Sequence, residues 1–200
     1  MNVIVARCAN NGIGISKSLP WRLKTDMKIF KNITIGDYNN SVIMGRKTWE
    51  SLPKQPLLQR KNLILSSQPK ETLMERCDKD HADNIEVFDN IKDIEKHCFL
   101  NSYNETWVIG GSEIYNDILS YSTVKSLLIT EIQHEYDVDT YFPQPEKIEK
   151  EYDQVWNSMM VNEDDVRFQV KLLWNKKFPL EGKFIKHKIQ TINDVIKNSY

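Results

Sequence analysis

Six short apolar runs, most of them followed by a turn and then by residues at helical spacing, constrain this chain more than any other feature. They are Val3–Ala6, Ser41–Met44, Asn62–Leu65, Ile85–Phe88, Thr106–Ile109 and Leu127–Ile129. Runs this short and this continuously apolar suit strands covered on both faces, as in a parallel sheet. Between them, Leu23, Met27 and Phe30 fall at i, i+4 and i+7 and predict a helix beginning shortly after Trp21. Gly45–Trp49 turns into a short helix, Ile91, Ile94 and Cys98 mark another, and Gly110-Gly111 lead into one carrying Ile114, Tyr115, Ile118 and Leu119. The period then changes. Val166, Phe168, Val170, Leu172 and Trp174 alternate with Arg167, Gln169, Lys171 and Leu173, a near-strict period of two that marks an antiparallel strand, and the turn-rich 162–165 segment suggests a hairpin with 152–161. The expected fold is a single α/β domain. Its central mixed sheet is mostly parallel, with about eight strands, helices on both faces and an antiparallel C-terminal hairpin. Residues 68–83 and 131–140 are polar enough to be loops.

A chain of 200 residues suits one compact domain with an appendage, and it can bury a core without staples. Lys+Arg 27 against Asp+Glu 28 leaves a net charge of -1, which argues against general nucleic-acid binding. Cys8, Cys77 and Cys98 are widely spaced and form no metal-ligand or disulfide pattern. No apolar run reaches membrane-span length, and Met1–Ala6 reads as a strand, not a basic leader. The expectation is a soluble, reduced, cytoplasmic protein.

Asp26 lies three residues past Leu23 and four before Phe30, beside the apolar stripe of its helix. Two readings fit. A carboxylate facing a cleft is costly unless hydrogen-bonded, and burial raises its pKa, as a functional acid would require. An Asp in a first helical turn is equally favoured by the free N–H groups and the macrodipole there. Position alone leaves both open.

The turns Met44–Thr48 and Ile109–Ser112 each leave a buried strand and enter a helix. At the carboxyl ends of such strands, helix N-termini present N–H groups to anions, and glycine lets a phosphate approach closely. Arg46 and Lys47 would suit a further anionic group; they could equally be a solvated helix start. Neither turn is a dinucleotide fingerprint or a P-loop. Arg60 follows the apolar Pro56-Leu57-Leu58 and could clamp a carboxylate or simply sit on the rim. His81, His97, His134 and His187 have no Ser and Asp arranged around them, so a hydrolytic triad has no support.

Taken together, these segments resemble the dihydrofolate reductases. The resemblance is carried by Gly12-Ile13-Gly14 with Leu19-Pro20-Trp21, by Asp26 and Phe30, and by Met44–Ser51 with Pro56-Leu57 and Arg60. It continues through Asn62–Ser67, Trp107–Tyr115, Ile129–Glu131 and Asp139–Pro143, over about residues 1–177. It implies NADPH-dependent reduction of 7,8-dihydrofolate to tetrahydrofolate by hydride transfer, in one-carbon and thymidylate metabolism. Asp26 would be the buried acid on the pterin's 2-amino group and ring nitrogen. Thr130 would hydrogen-bond that acid, and Trp21 would help to hold a water near the ring. Ile4, Ala6, Met27, Phe30, Leu52 and Leu57 would wall the substrate, and Arg60 would pair with its glutamate carboxylate. The implied cofactor contacts are Ala6, Ile13, Gly14, Leu19, Gly45, Arg46, Lys47 and Thr48, then Leu65, Ser66 and Ser67, then Ile109, Gly110, Gly111, Ser112, Glu113, Ile114 and Tyr115. No metal is implied.

The resemblance also implies a cis Gly110-Gly111 bond and a mobile lid from Ala9 to Leu23. Asp139 would hold that lid through backbone N–H groups near Gly14 and Ser16. Some relatives have glycine where this chain has Val138. Expected partners are dihydrofolate and antifolate-like small molecules, with no nucleic acid and no membrane, for a monomeric enzyme. Two rivals are a riboflavin-pathway pyrimidine reductase and a non-enzymatic pterin-binding protein. The first would not need Asp26, Arg60 and Thr130 together; the second need not keep the acid, the cofactor turns and the lid, all of which are intact here. Residues 178–200 run past the family's usual end. Ile185, Ile189, Ile192 and Ile196 predict an amphipathic helix ringed by Lys183, Lys186, Lys188 and Lys197. That extension would dock on its own domain, fray, contact another chain, or be a remnant of the linker toward a thymidylate synthase domain that some relatives of the family have.

Overall fold

A computed structural model describes residues 1–75, 77, 79–120 and 124–199. Eleven strands and seven α-helices follow one another in these residues. They begin β1 (Asn2–Cys8), β2 (Gly12–Gly14), α1 (Lys24–Ile35), β3 (Ser41–Gly45), α2 (Arg46–Ser51) and β4 (Lys61–Leu65). Next come α3 (Lys70–Leu73), β5 (Ile85–Phe88), α4 (Ile91–Asn101), β6 (Thr106–Gly110), α5 (Ser112–Ser120) and β7 (Ser126–Ile132). The chain ends with β8 (Thr140–Tyr141), α6 (Pro145–Glu151), β9 (Tyr152–Asn157), β10 (Val161–Glu163), β11 (Val166–Asn175) and α7 (Gly182–Lys197).

The main sheet runs β10-β11-β7-β1-β6-β3-β4-β5, with β9 also paired to β11, so it has nine strands. From β7 to β5 every neighbour is parallel, while β11 is antiparallel to β7, β9 and β10. The continuous apolar runs now have their reason. Ile4, Met44, Ile64 and Leu128 face one core with Trp21, Ile29 and Trp49, whereas Val3, Ile43, Leu63 and Ile129 face the other with Ile114 and Ile118. Both faces of the strands are dry, so period-two polarity is lost.

Several local expectations need correction. Residues 68–83 contain α3 and the start of a 3-10 turn, Lys79–Asn84. Leu73 is buried, and its carbonyl accepts the indole N–H of Trp49 at 3.1 Å. The 131–140 segment starts inside β7 and ends at β8, which pairs with β2 in a separate two-stranded sheet. The C-terminal hairpin is interrupted: β9 and β10 pair with successive parts of β11, and the Ser158 hydroxyl between them accepts the N–H of Val170. Helix α6 was not expected. Its seven residues carry one buried apolar side chain, Ile148, too little for periodicity to register.

The tail forms the expected helix, but its lysines do not all face water. On α7, Lys188 shares a face with Ile192, Val195 and Ile196 and is 1% exposed. Its ammonium lies 2.7 Å from a Glu105 carboxylate oxygen, over the rings of Trp107 and Phe184. A lysine at core spacing can be buried when an acid and aromatic faces meet its charge. Ile192, Val195 and Ile196 join the core that also holds Ile29 and Ile33 of α1.

Candidate active site

Helix α1 carries the acid. Asp26 is buried, and the Thr130 hydroxyl on β7 donates to its Oδ1 at 2.6 Å. Burial is the largest influence on its carboxyl. Partly opposed by the Thr130 hydrogen bond and reinforced by the nearby charge of Glu163, it pushes the pKa from 3.8 up to about 6. Asp26 does lie in the first turn of α1, but its side chain is buried there against Thr130. The free N–H groups of Lys24 and Thr25 are met by Glu163 of β10, a residue the sequence analysis missed. One signal was available: Leu23 stands at the N-cap position and cannot cap.

Around this acid the strands and α1 gather an apolar cleft. Ile4 and Trp21 are buried in the same core against which Ala6, Phe30, Leu52 and Leu57 pack while staying partly accessible. Met27 is half-exposed. The indole Nε1 of Trp21 is buried with no hydrogen-bond partner among the described residues, a costly state unless a polar group meets it. Across the cleft Arg60 is buried, its guanidinium 5.8 Å above the Phe30 ring. Its Nε donates to the Leu58 carbonyl at 3.1 Å and its Nη1 to the Thr34 hydroxyl. Its Nη2 has no protein partner among the described residues. Burial pulls its pKa down to about 10, which leaves it charged at neutral pH.

Next to this cleft, adjacent strands β6, β3 and β4 end together at Gly110, Gly45 and Leu65. The two glycine turns touch. A Cβ on Gly45 would come within 2.9 Å of Ile114, and one on Gly111 would meet the Thr48 hydroxyl at 3.4 Å. Gly110 has φ +114, a conformation side chains rarely adopt, and its bond to Gly111 is cis. The starts of α2 and α5 therefore face one rim, where Ser66 and Ser67 follow β4. Arg46 pairs with Glu50 at 2.6 Å and Lys47 with Glu113 at 3.3 Å, in exposed pairs of the kind that contribute little. Tyr115 is buried, its hydroxyl donating to the Ile4 carbonyl at 2.8 Å, which ties α5 to β1 beneath the cleft.

A flap borders both regions. Ile13 and Gly14 lie in β2, and Leu19 is half-exposed. The Ser16 N–H donates to Asp139 Oδ2 at 2.8 Å, while Asp139 itself donates its N–H to the Gly14 carbonyl at 3.1 Å. Gly14 thus accepts where a donor was expected. Val138 packs on Gly12, where a Cβ would lie 2.5 Å from its side chain.

Among the described residues no helix is long and apolar enough to cross a membrane, and no group of three or more His, Cys, Asp or Glu could hold a metal. The family model for dihydrofolate reductase matches residues 1–176. The chain is 34% identical over 154 residues to a dihydrofolate reductase of Heliothis virescens, covering 74% of this chain and 80% of that one. It is 31% identical over 173 residues to the Aedes albopictus protein of the same name, covering 82% and 88%. With the Bacillus subtilis dihydrofolate reductase it shares 37% identity over 144 residues, covering 72% and 76%.

Proposed function

This chain belongs to the dihydrofolate reductase family, and from that premise we propose that it reduces 7,8-dihydrofolate to tetrahydrofolate with NADPH, by hydride transfer to C6 of the pterin. The observation that carries the proposal is the Asp26–Thr130 pair. A half-protonatable carboxyl is held in an apolar cleft beside the rim where two glycine turns meet.

In this reading Asp26 binds the amidine edge of the pterin, which offers two parallel N–H donors to a carboxylate's two oxygens. Thr130 occupies one lone pair of Oδ1 and fixes the rotation of the group. Trp21 Nε1 supplies a donor for a polar group or water near the ring. Ile4, Ala6, Met27, Phe30, Leu52 and Leu57 exclude water, which strengthens every electrostatic contact inside. Arg60, already oriented by Thr34 and Leu58, takes the glutamate carboxylate with Nη2.

The rim residues fit a dinucleotide phosphate. Side chains are absent at Gly45, Gly110 and Gly111, and the hydroxyls of Thr48, Ser66, Ser67 and Ser112 border the same strand ends. Arg46 and Lys47 would meet the 2′-phosphate by exchanging exposed carboxylate partners, and Leu65, Ile109, Ile114, Glu113 and Tyr115 would complete the cradle. When bound, the reduced nicotinamide supplies the hydride. Ile13, Gly14 and Leu19 close over that side, with Asp139 latching the flap. Asp26 sets the proton step while water delivers the proton to N5.

Mixing purified protein with dihydrofolate and NADPH and following absorbance tests the proposal. Saturable loss of NADPH with formation of tetrahydrofolate is expected, and slower turnover with NADH. A folded protein that turns over neither cofactor would overturn it.

A further inference from the structure

Helix α1 begins without a cap of its own. Leu23 at the N-cap position is extended, with φ -112 and ψ 108, and provides no side-chain hydrogen bond. The missing acceptor arrives from the last residue of β10. Glu163 accepts the N–H of Lys24 with one carboxylate oxygen and the N–H of Thr25, at 2.9 Å, with the other. Thr25 is itself buried. Asp26 is the next residue. We propose that Glu163 is a positioning residue for Asp26: it caps the acid-bearing helix from the edge hairpin and so governs where that acid sits and how it holds its proton. The inference rests on the reading of Asp26 as the pterin-binding acid.

Two effects act in the same direction. A bare helix N-terminus favours ionised carboxyls in its first turn. Glu163 puts a full negative charge on those N–H groups and offsets their field at Asp26. It also repels a negative charge on Asp26 directly, which favours the protonated acid. Its own carboxyl is raised by burial, but the Thr25 and Lys24 contacts prevail and hold it below the ordinary range, so it stays ionised while Asp26 titrates.

The other charged groups nearby are known. Lys24 belongs to α1 and attracts Glu163. Asp164 and Asp165 stand in the hairpin turn, and Arg167 on β11 lies opposite Asn162. The ring of Tyr136 packs on Trp21 at 5.5 Å, with His134 beyond it at 4.6 Å from that ring. On β7, Thr130 is the uncharged partner of Asp26.

The test is a carbon-13 NMR titration of the full chain labelled at aspartate carboxyls, with Asp26→Asn identifying the Asp26 signal. Glu163→Gln keeps an acceptor but loses the charge. Its Asp26 midpoint is expected to fall by about half a pH unit or more, and the pH profile of turnover to move down with it. Glu163→Ala should show the same fall with faster exchange of the Thr25 amide. Asp164→Asn removes a neighbouring charge that makes no cap and should move the midpoint far less. An unchanged midpoint in Glu163→Gln, or an equal fall in Asp164→Asn, would overturn the proposal while leaving the role of Asp26 intact. Undiminished turnover by Asp26→Asn at neutral pH would overturn that role instead, whatever Glu163 does to the titration.

Discussion

Thr130 and Asp26 lie 104 residues apart in the chain and 2.6 Å apart in space, hydroxyl to carboxylate. The bond crosses from β7, where the parallel part of the sheet meets antiparallel β11, to helix α1. It stabilises the charged form of an acid that burial pushes the other way. Thr130→Val removes the donor and keeps the shape. Hydrogen bonds to charged groups contribute roughly 1.5–3 kcal/mol, so the midpoint of the pH–rate profile should rise by about one to two units. Thr130→Ser should restore it. An unmoved midpoint in Thr130→Val would separate this hydroxyl from the titrating acid.

The same burial has a cost to stability with a definite sign. The Asp26 carboxyl binds its proton more tightly folded than unfolded, so its contribution is fully present below the ordinary carboxylate range and is lost as pH rises through about 6. Asp26→Asn escapes that loss. The variant should be more stable than the parent at neutral pH by up to about 3 kcal/mol, and the gain should vanish in acid. Urea unfolding at several pH values measures it, and a variant less stable at neutral pH would contradict the account.

Arg60 is held in place before any ligand arrives, by Leu58, by Thr34 and by the Phe30 face. Arg60→Gln should raise the KM for dihydrofolate about a hundredfold, the equivalent of a lost charge-assisted pair, with kcat within a few-fold. A fall confined to kcat would place Arg60 in the chemical step.

In the tail, Lys188 joins Glu105, whose other carboxylate oxygen accepts the Trp107 indole N–H at 2.8 Å. Lys188→Ala leaves that partly buried acid without its partner and opens a gap beside Phe184, costing about 3 kcal/mol or roughly 10 °C in Tm. The double variant Lys188→Met with Glu105→Gln should recover most of the loss. Calorimetry of the parent and the two variants compares these losses. Equal Tm values would show that the Lys188–Glu105 pair contributes nothing to stability.

The architecture was legible in the chain because its strands are buried on both faces and separated by turn residues, so their boundaries survive any local ambiguity. The glycine turns stood out because each directly follows a buried strand, and at Gly45 a side chain would strike Ile114. What escaped were contacts made between segments far apart in the chain. Nothing local to 161–165 marks Glu163 as the cap of a helix starting at Lys24. Lys188 likewise reads as a solvent-facing lysine until Glu105 and the Trp107 and Phe184 rings are placed around it. The order in which Gly14 and Asp139 exchange donor and acceptor depends on the β2–β8 register, which two- and three-residue strands do not encode.

The most direct test follows deuterium from the reduced nicotinamide carbon of labelled NADPH into product, with the parent protein and with Asp26→Asn at neutral pH. The account predicts label at C6 of tetrahydrofolate with the parent, and transfer slowed by about a hundredfold or more in the variant. Label absent from C6, or equal transfer by both proteins, would contradict it.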